Sequence, residues 1–71
     1  MKLSQIENLF TGTVIKVLES AFTGNLFEFG IVPGAKLTLI RKAPFNGPVY
    51  IKVEDNLIAL RRSEADCILV Q

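Results

Sequence analysis

The sequence predicts a mainly β protein: a small closed barrel of five short strands, with one short helix inserted after the first strand and a single helical turn before the last. Because 71 residues are too few for two cores, residues 1–71 are expected to form one domain. Short runs of alternating apolar and polar residues are separated by glycine and proline, as in strands joined by turns. Five such runs are too few for a sandwich and suit a small barrel with few exposed edges.

Composition and charge narrow the function classes. One cysteine and no secretory leader predict a protein of the reducing cytoplasm. Charged residues interrupt every apolar run well short of the roughly 18 residues that a membrane helix requires, so direct membrane insertion is not expected. A net charge of +1 provides little attraction for nucleic acid or anionic lipid. A hydrophobic fraction of 49% leaves two explanations open, a dense core or an exposed docking patch.

The chain is predicted to start with one helical turn, because Ser4 and Glu7 are spaced as in a capping box. The first strand is predicted over residues 12–18, where β-branched residues dominate. Alternation assigns Thr13, Ile15 and Val17 to one face and Val14, Lys16 and Leu18 to the other. The apolar members of the second set are candidates for an outward surface unless the helix covers them.

A short amphipathic helix is predicted within residues 21–31, where the spacing of apolar residues changes from two to about 3.6. Its apolar face carries Phe22, Leu26 and Phe29. Gly30 is well placed to end the helix. The next three residues, Val32, Pro33 and Gly34, fit a type II turn that begins the second strand.

The remaining connections follow from turn residues: a second strand at 35–42, a proline-containing loop at 43–48, a hairpin turn at 54–56, a helical turn at 63–66 and a fifth strand at 67–70. The inward side chains are expected to be Leu37 and Leu39 in the second strand, Val49, Ile51 and Val53 in the third, and Ile58 and Leu60 in the fourth. Tyr50 and Lys52 are expected to face outward.

An ordered set of residues covers nearly the whole chain: Gly12, Leu26, Gly30-Ile31-Val32-Pro33-Gly34, Ala43-Pro44, Gly47-Pro48, Ala59-Leu60-Arg61-Arg62-Ser63-Glu64-Ala65 and Ile68-Leu69-Val70. This set resembles the FeoA family. The resemblance implies an SH3-like barrel that serves as the cytosolic partner of FeoB, a ferrous iron transporter with a GTP-hydrolysing domain. It also implies a family-level link to iron transport and transition metal ions. The same fold is implied for a C-terminal module of iron-dependent transcriptional repressors.

The reactive side chains do not predict a catalytic, cofactor or metal site. Cys67 has no histidine to serve as a base or as a second ligand, so we interpret it as a packing residue. Glu54 and Asp55 are adjacent, and Glu64 and Asp66 lie two apart. Hard metal ions require several oxygens converging on one point, so these acids are interpreted as solvated turn charges. The chain is therefore expected not to be an enzyme.

Two adjacent arginines leave alternatives open. Arg61 or Arg62 could stabilise charge on a phosphoryl group held by a partner protein. Alternatively, one could lie along the barrel while the other caps Glu64. Only Phe45 and Tyr50 could stack on bases, so nucleic-acid binding is not expected.

The predicted function is that of a small cytosolic, non-enzymatic adaptor that binds and modulates an FeoB-type transporter. The alternative is an SH3-like regulatory domain of the iron-dependent repressor type, which would bind a peptide or a partner domain. A second copy of the chain is left open as a further partner. The predicted contact surface comprises Phe22, Leu26, Phe27, Pro44, Phe45, Pro48 and Arg61.

Overall fold

The computed structural model describes residues 1–7 and 9–71 and confirms a mainly β fold. A 3-10 turn at Leu3–Gln5 precedes β1 (Phe10–Val17), α1 (Thr23–Glu28), β2 (Lys36–Lys42), β3 (Val49–Val53), β4 (Asn56–Leu60), α2 (Arg62–Ala65) and β5 (Ile68–Val70). The strands form one antiparallel sheet in the order β4-β3-β2-β1-β5. The short helix therefore follows the first strand and the helical turn precedes the last, as predicted.

The two edges of the sheet differ. Next to β5, the N–H of Val70 donates to the carbonyl of Met1 at 2.8 Å, and Lys2 forms a bridge with Leu69. The first residues thus cover the β5 edge. Within residues 1–7 and 9–71, no strand pairs with the outer side of β4. The prediction of few exposed strand edges therefore holds for the β5 edge but not for the β4 edge.

The two faces of β1 differ from the prediction because the strand contains a bulge. The register of β1 against β5 shifts between Val14 and Lys16, and one extra residue reverses the alternation beyond it. Val14 is consequently buried and Val17 packs against the core, whereas Ile15 is 47% exposed. The prediction that Val17 shares a face with Ile15 was wrong for this reason, and Val14, for which an outward or a covered position was left open, lies in the core.

Helix α1 is shorter than predicted and ends in a Schellman motif. Gly30 has a φ of 85°, and its N–H donates to the carbonyl of Phe27 at 3.0 Å. The N–H of Ile31 reaches back to the carbonyl of Leu26, also at 3.0 Å. Leu26 and Ile31 are both fully buried, so the motif also provides its usual hydrophobic contact. Phe29, predicted on the apolar face, lies at the end of the helix and is 45% exposed.

Other local predictions agree more closely. The N–H of Ala35 donates to the carbonyl of Val32 at 3.0 Å and Gly34 has a φ of 92°, which confirms the type II turn. The predicted inward residues of β2, β3 and β4 are buried, apart from Ile58, which is half-buried and packs against the core. The first helical turn is not capped as predicted, because the Ser4 hydroxyl bonds the Asp66 carboxylate instead.

Gly12 lies where β1 passes close to the end of the chain. A Cβ at this position would collide with the backbone carbonyl of Gln71, which the N–H of Thr13 already bonds at 2.9 Å. The Gly12→Ala substitution should lower the free energy of unfolding by about 1–3 kcal/mol, measured by urea denaturation. Gly24→Ala is the matched control, since space around Gly24 in α1 is open and alanine should raise stability by about 0.5 kcal/mol. Equal effects at the two positions would contradict the steric account.

Candidate interaction surface

The predicted contact residues divide into a part that the fold exposes and a part that it buries. Leu26 is fully buried in the core. Its inclusion in a contact surface was wrong, because a six-residue helix buries its one inward side chain against the sheet. Phe22 is half-buried and also packs against the core. Among the predicted residues of α1, Phe27 is the exposed one, with a relative exposure of 47%.

The loop 43–48 presents a single aromatic ring to solvent. Phe45 is 98% exposed, and Pro44 and Pro48 on either side are also exposed. The N–H of Gly47 donates to the carbonyl of Pro44 at 3.1 Å, which closes a four-residue turn. Phe45 and Asn46, the central residues, have φ values of 60° and 59°. The turn therefore belongs to the type I′ class.

A bulky residue with positive φ is uncommon and costs on the order of 1–3 kcal/mol. Phe45 adopts such a conformation and at the same time gives its ring almost no contact with the rest of the chain. The core gains nothing from this arrangement. Phe45 is therefore a candidate contact residue, and its ring does not serve the packing of the core.

Arg62 holds this loop in place. Its Nε donates to the carbonyl of Gly47 at 2.9 Å and its Nη2 donates to the carbonyl of Ala43 at 3.1 Å. The charged guanidinium thus binds both ends of the turn, and α2 carries it to this position. The loop conformation depends on a residue that is 15 positions away in sequence from Gly47.

The two adjacent arginine side chains lie in different surroundings. Arg62 lies against the barrel and is engaged by backbone carbonyls. The Arg61 side chain is exposed, and it is the backbone N–H of Arg61, at 2.8 Å from Oε1 of Glu64, that makes the predicted cap contact. Arg61 is thus the arginine whose guanidinium faces solvent.

The exposed predicted residues do not form one continuous patch. The loop 43–48 precedes Val49, which pairs with Leu60 at the end of β4. The end of α1 lies at the other half of that strand, since Phe29 shares a surface depression with Asn56 and Leu57. The length of β4, about 13 Å at the usual rise per residue, separates the two groups.

Between them lies an apolar area that we call the β4 surface, formed by Phe29, Ile40, Tyr50, Leu57 and Ala59. Leu57 is 75% exposed. The register brings Tyr50 opposite Ala59, and a bulge between Leu39 and Arg41 accompanies the 39% exposure of Ile40. Alternation alone indicated that Leu57 and Tyr50 face outward, but their grouping depends on register and on the bulge, for which the sequence gives no signal.

Across residues 1–7 and 9–71, no group of three or more histidine, cysteine or acidic residues could hold a metal ion. The Cys67 thiol, which is half-buried, donates to the carbonyl of Ser63 at 3.5 Å. In the same residues, no helix is both long and apolar enough to cross a membrane.

Comparison with known proteins gives consistent matches. The FeoA domain model matches residues 1–71. An Fe(2+) transport protein A/Fe(2+) transporter FeoB fusion protein from Porphyromonas gingivalis is 31% identical over 72 residues. That match covers 100% of this chain and 8% of the fusion protein.

Solved structures share the fold. FeoA of Stenotrophomonas maltophilia, determined in complex with zinc, superposes with a TM-score of 0.83 at 28% identity, over 100% of this chain and 89% of that chain. It is described as a prokaryotic SH3 domain protein and a candidate activating factor of ferrous iron transport. This confirms the predicted SH3-like class. A manganese-dependent transcriptional repressor superposes at 0.90 with 19% identity, over 100% of this chain and 35% of that chain, which shows a shared fold only.

Arg62 and Arg61 offer a matched test of how the loop is held. Arg62→Met should lower the free energy of unfolding by about 1–3 kcal/mol, because two backbone carbonyls lose charged donors. Arg61→Met should change it by less than about 0.5 kcal/mol, since that side chain is exposed. Urea denaturation gives both values. A neutral Arg62→Met variant would show that the loop does not depend on this contact.

Proposed function

The chain belongs to the FeoA family, and from this membership we propose that it is a non-enzymatic adaptor that binds the cytosolic part of an FeoB-type ferrous iron transporter and modulates iron uptake. Association with ferrous iron transport follows from the family. The specific contact with FeoB, the cytoplasmic location and the absence of catalysis are parts of the proposal. Iron is the transporter's cargo in this scheme, and the adaptor needs neither a cofactor nor a metal of its own.

The fusion protein supports an FeoB-type partner. In the Porphyromonas gingivalis relative, an FeoA sequence and an FeoB sequence share one chain. Covalent linkage raises the effective concentration of one module at the other, which is useful when the two must meet. This chain spans only 8% of that relative. We propose that this domain makes the same encounter with an FeoB-type partner.

The observation that carries the proposal in this structure is the Phe45 turn. The Phe45 side chain is 98% exposed, and aromatic residues are enriched at the cores of protein interfaces. The turn is preorganised because Arg62 binds the carbonyls at both of its ends. Preorganisation lowers the entropy lost on binding. We infer that Phe45 is the anchor, with Pro44, Pro48 and Arg61 around it.

The exposed side of α1 is the second part of the proposed surface. Phe27 is 47% exposed and lies on the helix, whereas Leu26 is buried and is not proposed as a contact. Because the end of α1 and the loop 43–48 lie at opposite halves of β4, a partner must span that strand to reach both. Variants at Phe45 and Phe27 therefore report on separate parts of the interface. The repressor-type alternative rests on the shared fold alone.

Replacing Phe45 by Asn provides a sharp test, because asparagine accepts positive φ and the turn should remain intact. We expect the Phe45→Asn variant to bind the isolated cytosolic part of FeoB from the same organism at least about tenfold more weakly, as measured by isothermal titration calorimetry. Phe27→Ser should weaken binding to a smaller degree, since that side chain is less exposed.

Val32→Ser is the control, because this apolar residue is also exposed but lies in the turn before β2 and belongs to neither group. All variants should keep the circular dichroism spectrum of the original chain. Unchanged affinity in the Phe45→Asn variant would remove Phe45 from the interface. Failure of the original chain to bind FeoB would overturn the adaptor proposal itself.

A further inference from the structure

From the open edge of β4 we infer a second interaction, in which two copies of this chain pair their β4 strands antiparallel about Ile58. The inference does not rest on FeoB binding, which was assigned above to the Phe45 loop and α1, although Arg61 takes part in both proposed surfaces. It rests on three features of the described residues: the direction of backbone groups along β4, the apolar side chains beside them, and the placement of opposite charges at the two ends of the strand.

The backbone direction follows from the β3–β4 hairpin. Glu54 and Asp55 form a two-residue turn, and Val53 pairs with Asn56. The pair that closes such a turn is hydrogen bonded, and bonded pairs then alternate along the ladder. Leu57 and Ala59 consequently direct their N–H and C=O groups away from β3, toward the outer edge. An added strand would bind these groups.

The side chains near the edge favour an apolar occupant. Leu57 is 75% exposed, and Phe29 and Ile58 line the same depression beside the strand. An exposed strand edge with apolar side chains is a site at which another strand adds, and many proteins block such edges with lysine, proline or a bulge. None of the five residues of β4 is lysine or proline, and its register against β3 is regular.

The charges at the two ends of β4 favour a second copy of this chain that pairs antiparallel. Asp55 directly precedes the strand, Glu54 precedes Asp55, and Glu28 lies beside Asn56 and Leu57. Arg61, with an exposed side chain, directly follows the strand. A parallel partner of the same sequence would place like charges together. An antiparallel copy places the acidic end of each strand against the basic end of the other.

One register of the two β4 strands satisfies the outward backbone hydrogen-bonding groups and also pairs the opposite charges. With Ile58 on the two-fold axis, Leu57 lies opposite Ala59 of the second copy, so each outward N–H and C=O finds a partner. Asp55 of each copy then falls opposite Arg61 of the other. The interface is self-complementary, as two-fold symmetry requires. Because it is built on one short strand, we expect an interface at the lower end of the usual size range and an association that depends on concentration.

Charge exchange tests this register directly. In Asp55→Arg, and separately in Arg61→Asp, both end contacts of a homodimer become repulsive. Each variant alone should self-associate about tenfold or more weakly than the original chain. An equimolar mixture of the two variants restores two attractive contacts, so the mixture should associate about as well as the original. Glu19→Arg and Lys16→Asp make the same charge changes at exposed positions in and just after β1, which β2 and β3 separate from β4 in the sheet, and should leave association unchanged.

Sedimentation velocity up to about 1 mM protein gives the association constants, a range chosen because small interfaces bind weakly. In parallel, the amide resonances of Leu57 and Ala59 should shift with concentration more than those of Asn56, Ile58 and Leu60, which already bond β3. A monomer at every concentration overturns the inference. So does association that the charge variants do not weaken, or that their mixture does not restore. Shifts confined to the loop 43–48 would place self-association elsewhere and equally reject the β4 pairing.

Discussion

A single apolar core constrains every part of this structure, because a chain of 71 residues has only one inner sheet face to cover. The strands supply most of the buried side chains, but they cannot close the ends of the barrel alone. The core is completed by Leu3 from the first turn, Leu26 from α1, Ile31 just after α1, and Ala65 from α2. The side chain that each connection buries in the core therefore fixes the position of that connection. Its remaining residues lie at the surface.

This constraint explains how the apolar residues are distributed. Composition left two readings open, a dense core or an exposed patch, and the structure contains both. Fully buried side chains fill the inner face, while Leu57 and Phe45 remain mostly in solvent. The exposed residues are grouped by the strand register and by the turn before β3, not by proximity in sequence. The fold has no second face on which to bury these side chains.

Local signals in the sequence predicted much of the fold. Val32, Pro33 and Gly34 determine a type II turn by their own backbone preferences, and the alternation of Val49, Ile51 and Val53 determines which face of β3 is buried. Features that depend on distant contacts were not predictable in this way. The bulge after Val14 forms in the pairing with β5, and no local preference of β1 indicates it. That is why Val17 lies on the face of Val14 and not, as alternation had predicted, on that of Ile15.

The same division applies to the candidate surface. The exposure of Phe45 could be predicted, because a residue between two prolines at a loop tip has nowhere to pack. The role of Arg62 could not, since its two carbonyl partners lie in a loop that is distant in sequence. Leu26 was wrongly assigned to the contact surface. An amphipathic pattern shows which residues share a helix face, but it does not show that so short a helix buries Leu26 completely.

The pairing of Met1 with Val70 has a consequence for how such a domain can be joined to others. Because the two segments are hydrogen-bonded neighbours at the β5 edge, a polypeptide could enter and leave the domain at one point. That point lies across the sheet from β4. A covalent attachment at either end would thus leave the domain at the β5 edge of the sheet. A circular permutant that joins residues 71 and 1 by a short linker should retain the same architecture.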